Sequence, residues 1–320
     1  MPYELRRYII MKRILALVLA TLMITCLFAG CGSEEGVDGK VDVINSELWS
    51  AQESGKLTVG ITLYKPMNYK TADGDLTGFE TDFAKAVCKQ LGVEPNFVEI
   101  VWDTKEINLT ADDAIGNDNA AAKNATDIRI DCIWNGMAVT NERAAKVSFS
   151  NPYLKDSQVI VVKAADLGAF DAKIASPEVE KIYYAESGSV GSSTVKNDDF
   201  FKSTAAKGSL TDVETMYKAL DEVKKAEVAE GANTLVMAVV SKSMALQYVG
   251  KDEFADLAIV EGKSFAECEI AVAFRQNSDL VPAVNEAIKK LMTPEEGKTE
   301  SEFDRLVKKY GLGSMVIPKA

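Results

Sequence analysis

The sequence predicts an α/β fold of two lobes, and three observations predict it. Short β-branched segments alternate with amphipathic helical segments from Lys56 onward. A continuous buried run, Val159-Ile160-Val161-Val162, closes the first series. The alternation then begins again and continues to the C-terminus.

Leu57-Thr58-Val59-Gly60-Ile61 reads as the first strand, closed by a turn at Tyr64-Lys65-Pro66. After the turn at Asp73-Gly74, the segment Gly78–Gly92 carries Phe83, Val87 and Leu91 at i, i+4 and i+8. It reads as a helix stopped by Gly92. Phe97–Val101 and Ile130–Trp134 read as strands, and a further helix opens at Thr140. Between them Ala111–Asp127, mostly Ala, Asp and Asn, is expected to be a low-complexity surface insertion. In the second series Ile182–Ala185 is a strand and Gly188–Gly191 a Gly/Ser loop. Thr211-Asp212-Val213-Glu214 reads as a capping box that opens a helix with Met216, Tyr217, Leu220 and Val223 inward. Leu235–Val240 is a buried strand, followed by a short helix ending at Gly250 and by strands at Leu257–Val260 and Ile270–Phe274. Helices at Leu280–Met292 and Ser301–Tyr310 finish the chain, the second stopped by Gly311.

A chain of 320 residues that is 47% hydrophobic is long enough for one large domain or two moderate ones with a real core. It contains no histidine, which removes the commonest metal ligand and the commonest general base, so no metal site and no His-dependent triad is expected. Its net charge of −12 repels a phosphate backbone and argues against a nucleic-acid partner.

Residues 1–30 read as a secretion signal, because Arg6, Arg7, Lys12 and Arg13 precede an apolar run from Ile14 to Phe28, with Met1 and Met11 as alternative starts. Small residues Ala29 and Gly30 lead into Cys31, a pattern similar to a bacterial lipobox, so Cys31 is expected to carry lipid and to anchor the chain on the outer face of the cell membrane; a plain signal peptide or an uncleaved membrane helix with an incidental cysteine is the alternative. Removing Arg6, Arg7, Lys12, Arg13 and Glu4 with the signal takes the net charge from −12 to −15. The following segment, 31–55, lacks periodicity over Gly32–Asp42 and is expected to be a tether. Cys88, Cys132 and Cys268 remain, an odd number without CxxC spacing, and are expected as free thiols.

Two segments are candidates for binding chemistry. In Ile130–Arg143 a buried strand ends at Asn135-Gly136, Thr140 caps a helix, and Arg143 falls in its first turn. A guanidinium at such a place suits bidentate carboxylate binding. An exposed arginine on a surface helix is the bland alternative. The loop Glu186-Ser187-Gly188-Ser189-Val190-Gly191 likewise follows a strand, and its glycines let backbone N–H groups approach a ligand. It lacks the Gly-Lys-Ser/Thr ending of a P-loop.

Several segments together resemble the polar amino-acid group of solute-binding proteins from bacterial ABC importers. They are Leu57–Tyr69 with Pro66-Met67-Asn68-Tyr69, Gly78–Ala84, Trp102-Asp103-Thr104, Asp131–Arg143, Phe149–Tyr153 and Phe274–Leu280. The resemblance covers about Lys56 to Leu312. It implies a two-lobe periplasmic-binding-protein-like fold of type II, with a ligand cleft between the lobes and two crossing strands as the hinge. Lobe 1 would be 57–158 plus 272–320 and lobe 2 would be 163–266, with the crossings near Gln158–Val162 and Glu267–Val272. It also implies an amino acid or similar small zwitterion as ligand, ABC permease subunits as partners, a monomeric protein, no cofactor and no catalytic step.

Carried over residue by residue, Arg143 would hold the ligand carboxylate, helped by N–H groups around Ala138 and Ser189. Tyr64, Asn68 and Trp102 would line the first-lobe wall, although for Tyr64 and Trp102 plain core packing is the alternative. Asn135 and Gly136 would form the floor, with Met137, Gly188, Val190 and Ser241 completing the binding set, while Trp134 belongs to the core. Two departures stand out: Ala138 replaces the usual Ser or Thr, and Ser241 stands where the family usually has an Asp that pairs the ligand ammonium. Glu186 or another acid would then have to supply the charge, or the ligand is not an ordinary α-amino acid. Two alternative functions follow. One is a sensory or adhesive lipoprotein with an altered pocket. The other is a secreted cyclohexadienyl-type dehydratase on the same fold, for which Glu186, Asp103 or a tyrosine would have to be the acid or base.

Overall fold

The computed structural model describes residues 46–110, 128–203, 206–227 and 233–317. The expected signal 1–30, the lipidation site Cys31, the first part of the tether and the insertion 111–127 lie outside the described residues. The strands in chain order are β1 (Lys56–Ile61), β2 (Tyr69–Lys70), β3 (Leu76–Thr77), β4 (Glu94–Glu99), β5 (Cys132–Ile133) and β6 (Ser148–Phe149), then β7 (Leu154–Lys163), β8 (Glu180–Glu186), β9 (Ser209–Val213), β10 (Thr234–Ser241), β11 (Leu257–Ile270) and β12 (Ala273–Phe274).

Two five-stranded sheets organise these elements, ordered β4-β1-β5-β12-β6 and β11-β7-β10-β8-β9. In the first, β1 pairs parallel with β4 and β5, and β12 returns antiparallel between β5 and β6. In the second, β8 pairs parallel with β9 and β10, while β7 and β11 run antiparallel. Two lobes result, joined by β7 and β11, which pair from Leu154↔Ile270 to Lys163↔Leu257 with register shifts between Ile259 and Ser264 and between Phe265 and Cys268. Such irregularities bend a long strand without breaking it, which is why the two strands expected at Leu257–Val260 and Ile270–Phe274 are largely one continuous β11, with only Ala273-Phe274 separate.

The first-lobe core forms where the helix Phe79–Leu91, closed by Gly92 in the left-handed conformation, lays its apolar face on the sheet. Phe83 is fully buried, with ring centres 5.6 Å from Trp134, 5.3 Å from Tyr153 and 5.3 Å from Phe303. Phe303 comes from the C-terminal helix Glu302–Lys309, whose capping box between Ser301 and Asp304 fixes its start. In the second lobe Leu235, Met237 and Val239 of β10 face a core with Tyr183 and Phe201, while Val236 and Ala238 face the core of Ala219, Leu220 and Val223. Cover on both faces explains the unbroken apolar run of β10.

Two local expectations are corrected. The box read at Thr211–Glu214 does not form, because Ser209–Val213 pairs with β8 as β9; Thr215 is the cap, accepting from the Lys218 N–H at 3.0 Å. Within the segment 31–55 expected as tether, Glu47–Ser54 is a helix capped by Ser46. Its first turn is tied to the C-terminal part of the chain by Asp279, which accepts from the Glu47 and Leu48 N–H groups at 3.0 and 3.1 Å, and by an ion pair from Arg275 to Glu47. Cys88, Cys132 and Cys268 are free, the first two buried and Cys268 half-buried.

Substituting Phe83→Ala leaves a cavity among Phe79, Trp134, Tyr153 and Phe303, so it is expected to lower stability by about 3–5 kcal/mol in urea unfolding.

Candidate functional site

The floor of the site is built where β1 and β5 end. Asn135 donates to Thr62 Oγ1 at 2.6 Å and accepts from the Thr62 N–H at 2.7 Å, joining the two strand ends. Asn68, fully buried beneath it, donates to the Trp134 carbonyl at 3.1 Å and to Asn135 Oδ1 at 3.0 Å, and accepts from Thr81 at 2.8 Å. Gly136 has φ +58, and a Cβ there would collide with the Tyr64 hydroxyl, so this position requires glycine on two counts. Its N–H donates to Glu80 Oε2 at 2.7 Å, and the other oxygen of Glu80 accepts from the Tyr153 hydroxyl at 2.5 Å. Burial pushes the Glu80 carboxyl up to about 7, opposed by these hydrogen bonds.

The wall that carries Arg143 is set by Thr140, which caps the helix Asn141–Ala144 by accepting from the Arg143 N–H at 3.2 Å. The guanidinium is buried. It donates to the Ala138 carbonyl at 3.0 Å and, across the cleft, to the Gly188 carbonyl at 3.2 Å, and lies 5.6 Å from the centre of the Trp102 ring. Lys105 sits over the same ring at 4.6 Å and donates to the carbonyls of Trp102 at 3.1 Å and Gly188 at 3.4 Å. Thus one second-lobe carbonyl accepts from two first-lobe cations. Ser189, the next residue, caps the helix Val190–Asn197 through the Ser192 N–H at 3.2 Å.

Two carboxylates complete the cleft, and only Glu186 lies in the field of these cations. Glu186 ends β8, and burial pushes it up to about 8 against the pull of Lys105, the Met216 N–H and Arg143. Burial likewise lowers Lys105 to about 8, helped by repulsion from Arg143. Asp156, on β7, accepts from the Ser243 hydroxyl at 2.6 Å and from the N–H groups of Ser157 and Ser243 at 2.8 and 3.2 Å. Burial raises its carboxyl, and hydrogen bonds from Ser243, Ser157 and Ser241 hold it back.

Between these groups lies a cavity of about 40 Å3. Nine residues expected at the site line it: Tyr64, Trp102, Asn135, Gly136, Ala138, Arg143, Ser189, Val190 and Ser241. Three do not. Asn68 holds the floor from below, Met137 is buried in a core cluster with Trp102 and Ile133, and Gly188 borders a neighbouring cavity of about 340 Å3. Asp156, Gln158, Met216, Cys268 and Ile270 also line the central cavity and were not among the expected residues. For Asp156 and Gln158 a signal existed: in Lys155-Asp156-Ser157-Gln158, just ahead of the apolar run, they lie two apart and so share one face of the strand. Among the described residues no group of three His, Cys, Asp or Glu side chains could hold a metal, and no helix is long and apolar enough to cross a membrane.

Residues 57–313 match the family described as bacterial extracellular solute-binding proteins, family 3. The chain is 29% identical over 273 residues to the L-cystine-binding protein TcyJ of Escherichia coli, covering 85% of this chain and 86% of that one. It is 31% identical over 126 residues to the cyclohexadienyl dehydratase of Pseudomonas aeruginosa, covering 39% of this chain and 41% of that one. Among solved structures, a substrate-binding protein of an ABC uptake transporter from Streptococcus pneumoniae with bound histidine superposes with a TM-score of 0.66 at 26% identity, covering 86% of this chain and all of that one.

Glu80 supplies a pH test. Its carboxyl stands above the ordinary 4.5 in the fold, so its neutral form favours folding below about pH 4.5, and that contribution is lost as pH rises through about 7. The stability of the wild type relative to Glu80→Gln, measured by chemical unfolding, is expected to fall by about 3 kcal/mol between pH 4.5 and 8.

Proposed function

Because this chain belongs to the bacterial extracellular solute-binding proteins, family 3, we propose that it captures an amino acid or a similar small zwitterion between its lobes and delivers it to an ABC importer. The observation that carries this reading is the cleft itself. Arg143, Glu186 and Asp156 border one small cavity, and Lys105 borders the neighbouring one, so the cleft offers a guanidinium for a carboxylate and two acids for an ammonium group. Arg143 is the carboxylate partner in this reading: its guanidinium lies 5.6 Å from the Trp102 ring centre and is anchored to two carbonyls, so it is oriented before the ligand arrives. Tyr64, Trp102, Asn135, Gly136, Ala138, Ser189, Val190 and Ser241 contact the ligand. Asn68, Met137 and Gly188 act from behind them, positioning the floor and the cross-cleft contact. The TcyJ likeness and the histidine held by the Streptococcus neighbour support an amino-acid ligand. Lipid on Cys31 keeps the protein at the outer membrane face beside its permease, and it works as a monomer without a cofactor.

A dehydratase reading has one candidate group in the cleft, Glu186, which lines the cavity and whose carboxyl burial pushes up to about 8, where it is able to donate a proton. Turnover of a cyclohexadienyl acid by the purified protein, lost in Glu186→Gln, would replace the binding reading by this one.

The binding reading predicts a thermal shift. A ligand at a hundredfold excess over its dissociation constant adds about 2.7 kcal/mol to folding stability. One of the common amino acids or cystine is expected to raise the melting temperature accordingly, and Arg143→Ala is expected to abolish that shift while leaving the ligand-free protein folded. Silence from every amino acid tested would overturn the reading.

A further inference from the structure

We propose that Asp156 on the crossing strand β7 binds the ligand's ammonium group, with Ser243 and Ser241 as the residues that position its carboxylate. This inference rests on the amino-acid reading above and adds which acid does the recognising. Two carboxylates line the central cavity, Glu186 and Asp156, and their surroundings differ. Glu186 already lies in the field of two cations, Lys105 and Arg143, both of which favour its charged form. The groups that favour a charged Asp156 are neutral donors: the Ser243 hydroxyl at 2.6 Å, the Ser157 N–H at 2.8 Å, the Ser243 N–H at 3.2 Å and the Ser241 hydroxyl.

Among the described residues no Lys or Arg forms an ion pair with Asp156. Lys155 and Lys242 border a separate cavity of about 490 Å3, which Asp156 also reaches, and neither hydrogen-bonds to its carboxylate. A carboxylate held by several donors is oriented, but it lacks a counter-charge. A zwitterion whose carboxylate meets Arg143 brings one ammonium, and Asp156 is the cleft acid that still needs it. The serines hold the carboxylate in place: Ser241 Oγ lies 3.0 Å from Ser243 Oγ, and Ser243 in turn donates to Asp156 Oδ2.

The test compares Asp156→Asn, Glu186→Gln and Ser243→Ala by calorimetric titration of the purified protein. The probes are the twenty common L-amino acids and L-cystine, then the tightest of them in a form lacking the α-amine, titrated to millimolar concentration. Asp156→Asn is expected to weaken the amino acid about 100-fold, Ser243→Ala about tenfold and Glu186→Gln less than tenfold. The amine-less analogue is expected to change less than threefold in Asp156→Asn, a split that a merely collapsed cleft would not give. Amino-acid affinity within threefold of wild type in Asp156→Asn, or equal losses for both probes, overturns the assignment while leaving the binding reading intact. A wild-type protein that binds no amino acid overturns both.

Discussion

Both lobes hang on one antiparallel ladder, the pairing of β7 with β11 from Leu154↔Ile270 to Lys163↔Leu257. At its inner end the ladder joins the first lobe, where Ala138 bridges Ile270. At its outer end β7 continues into the second sheet beside β10. Because side chains alternate along a strand, the same ladder turns Asp156 and Gln158 from β7, with Cys268 and Ile270 from β11, toward the cavity. The hinge is therefore also a wall of the site, and any relative motion of the lobes changes the surroundings of these side chains.

Closure in this state is electrostatic as well as steric. The Gly188 carbonyl accepts from Arg143 and Lys105, so the second lobe meets the first at a point where two cations have lost most of their water. Desolvation shows in the direction of every buried group here: Lys105 is lowered, and Glu186 and Asp156 are raised. Buried charges of this kind are held at a cost that a ligand of complementary charge would offset.

The two departures from the family pattern acquire structural meanings. Ala138 contributes its carbonyl to Arg143, a backbone role that any side chain permits. Ser241 caps the helix Lys242–Tyr248, accepting from the Met244 N–H at 3.3 Å, while its oxygen also touches Ser243. An oxygen at this position serves the backbone first, which is why a serine remains structurally sound where a charge was expected.

What the sequence determined by itself was the set of elements and the family. Periodicity located the helices Phe79–Leu91 and Leu280–Met292 and the buried strand β10, because burial of one face or of both imprints a local pattern of apolar residues. It also located Thr140 as a cap and the segments holding Arg143 and Ser189, since capping depends on neighbours three residues away. Tertiary structure decided what depends on distant partners. Ser209–Val213 is a strand only because β8 lies beside it, and Glu47–Ser54 is ordered against Asp279 and Arg275, more than 220 positions away. Asn68 and Met137 lie beneath the cavity rather than in it, and Asp156 lies in it, because which face of a strand or loop meets the cleft is set by how the two sheets are joined. Long-range pairing leaves no periodic trace in the segment it recruits, so only the folded chain shows it.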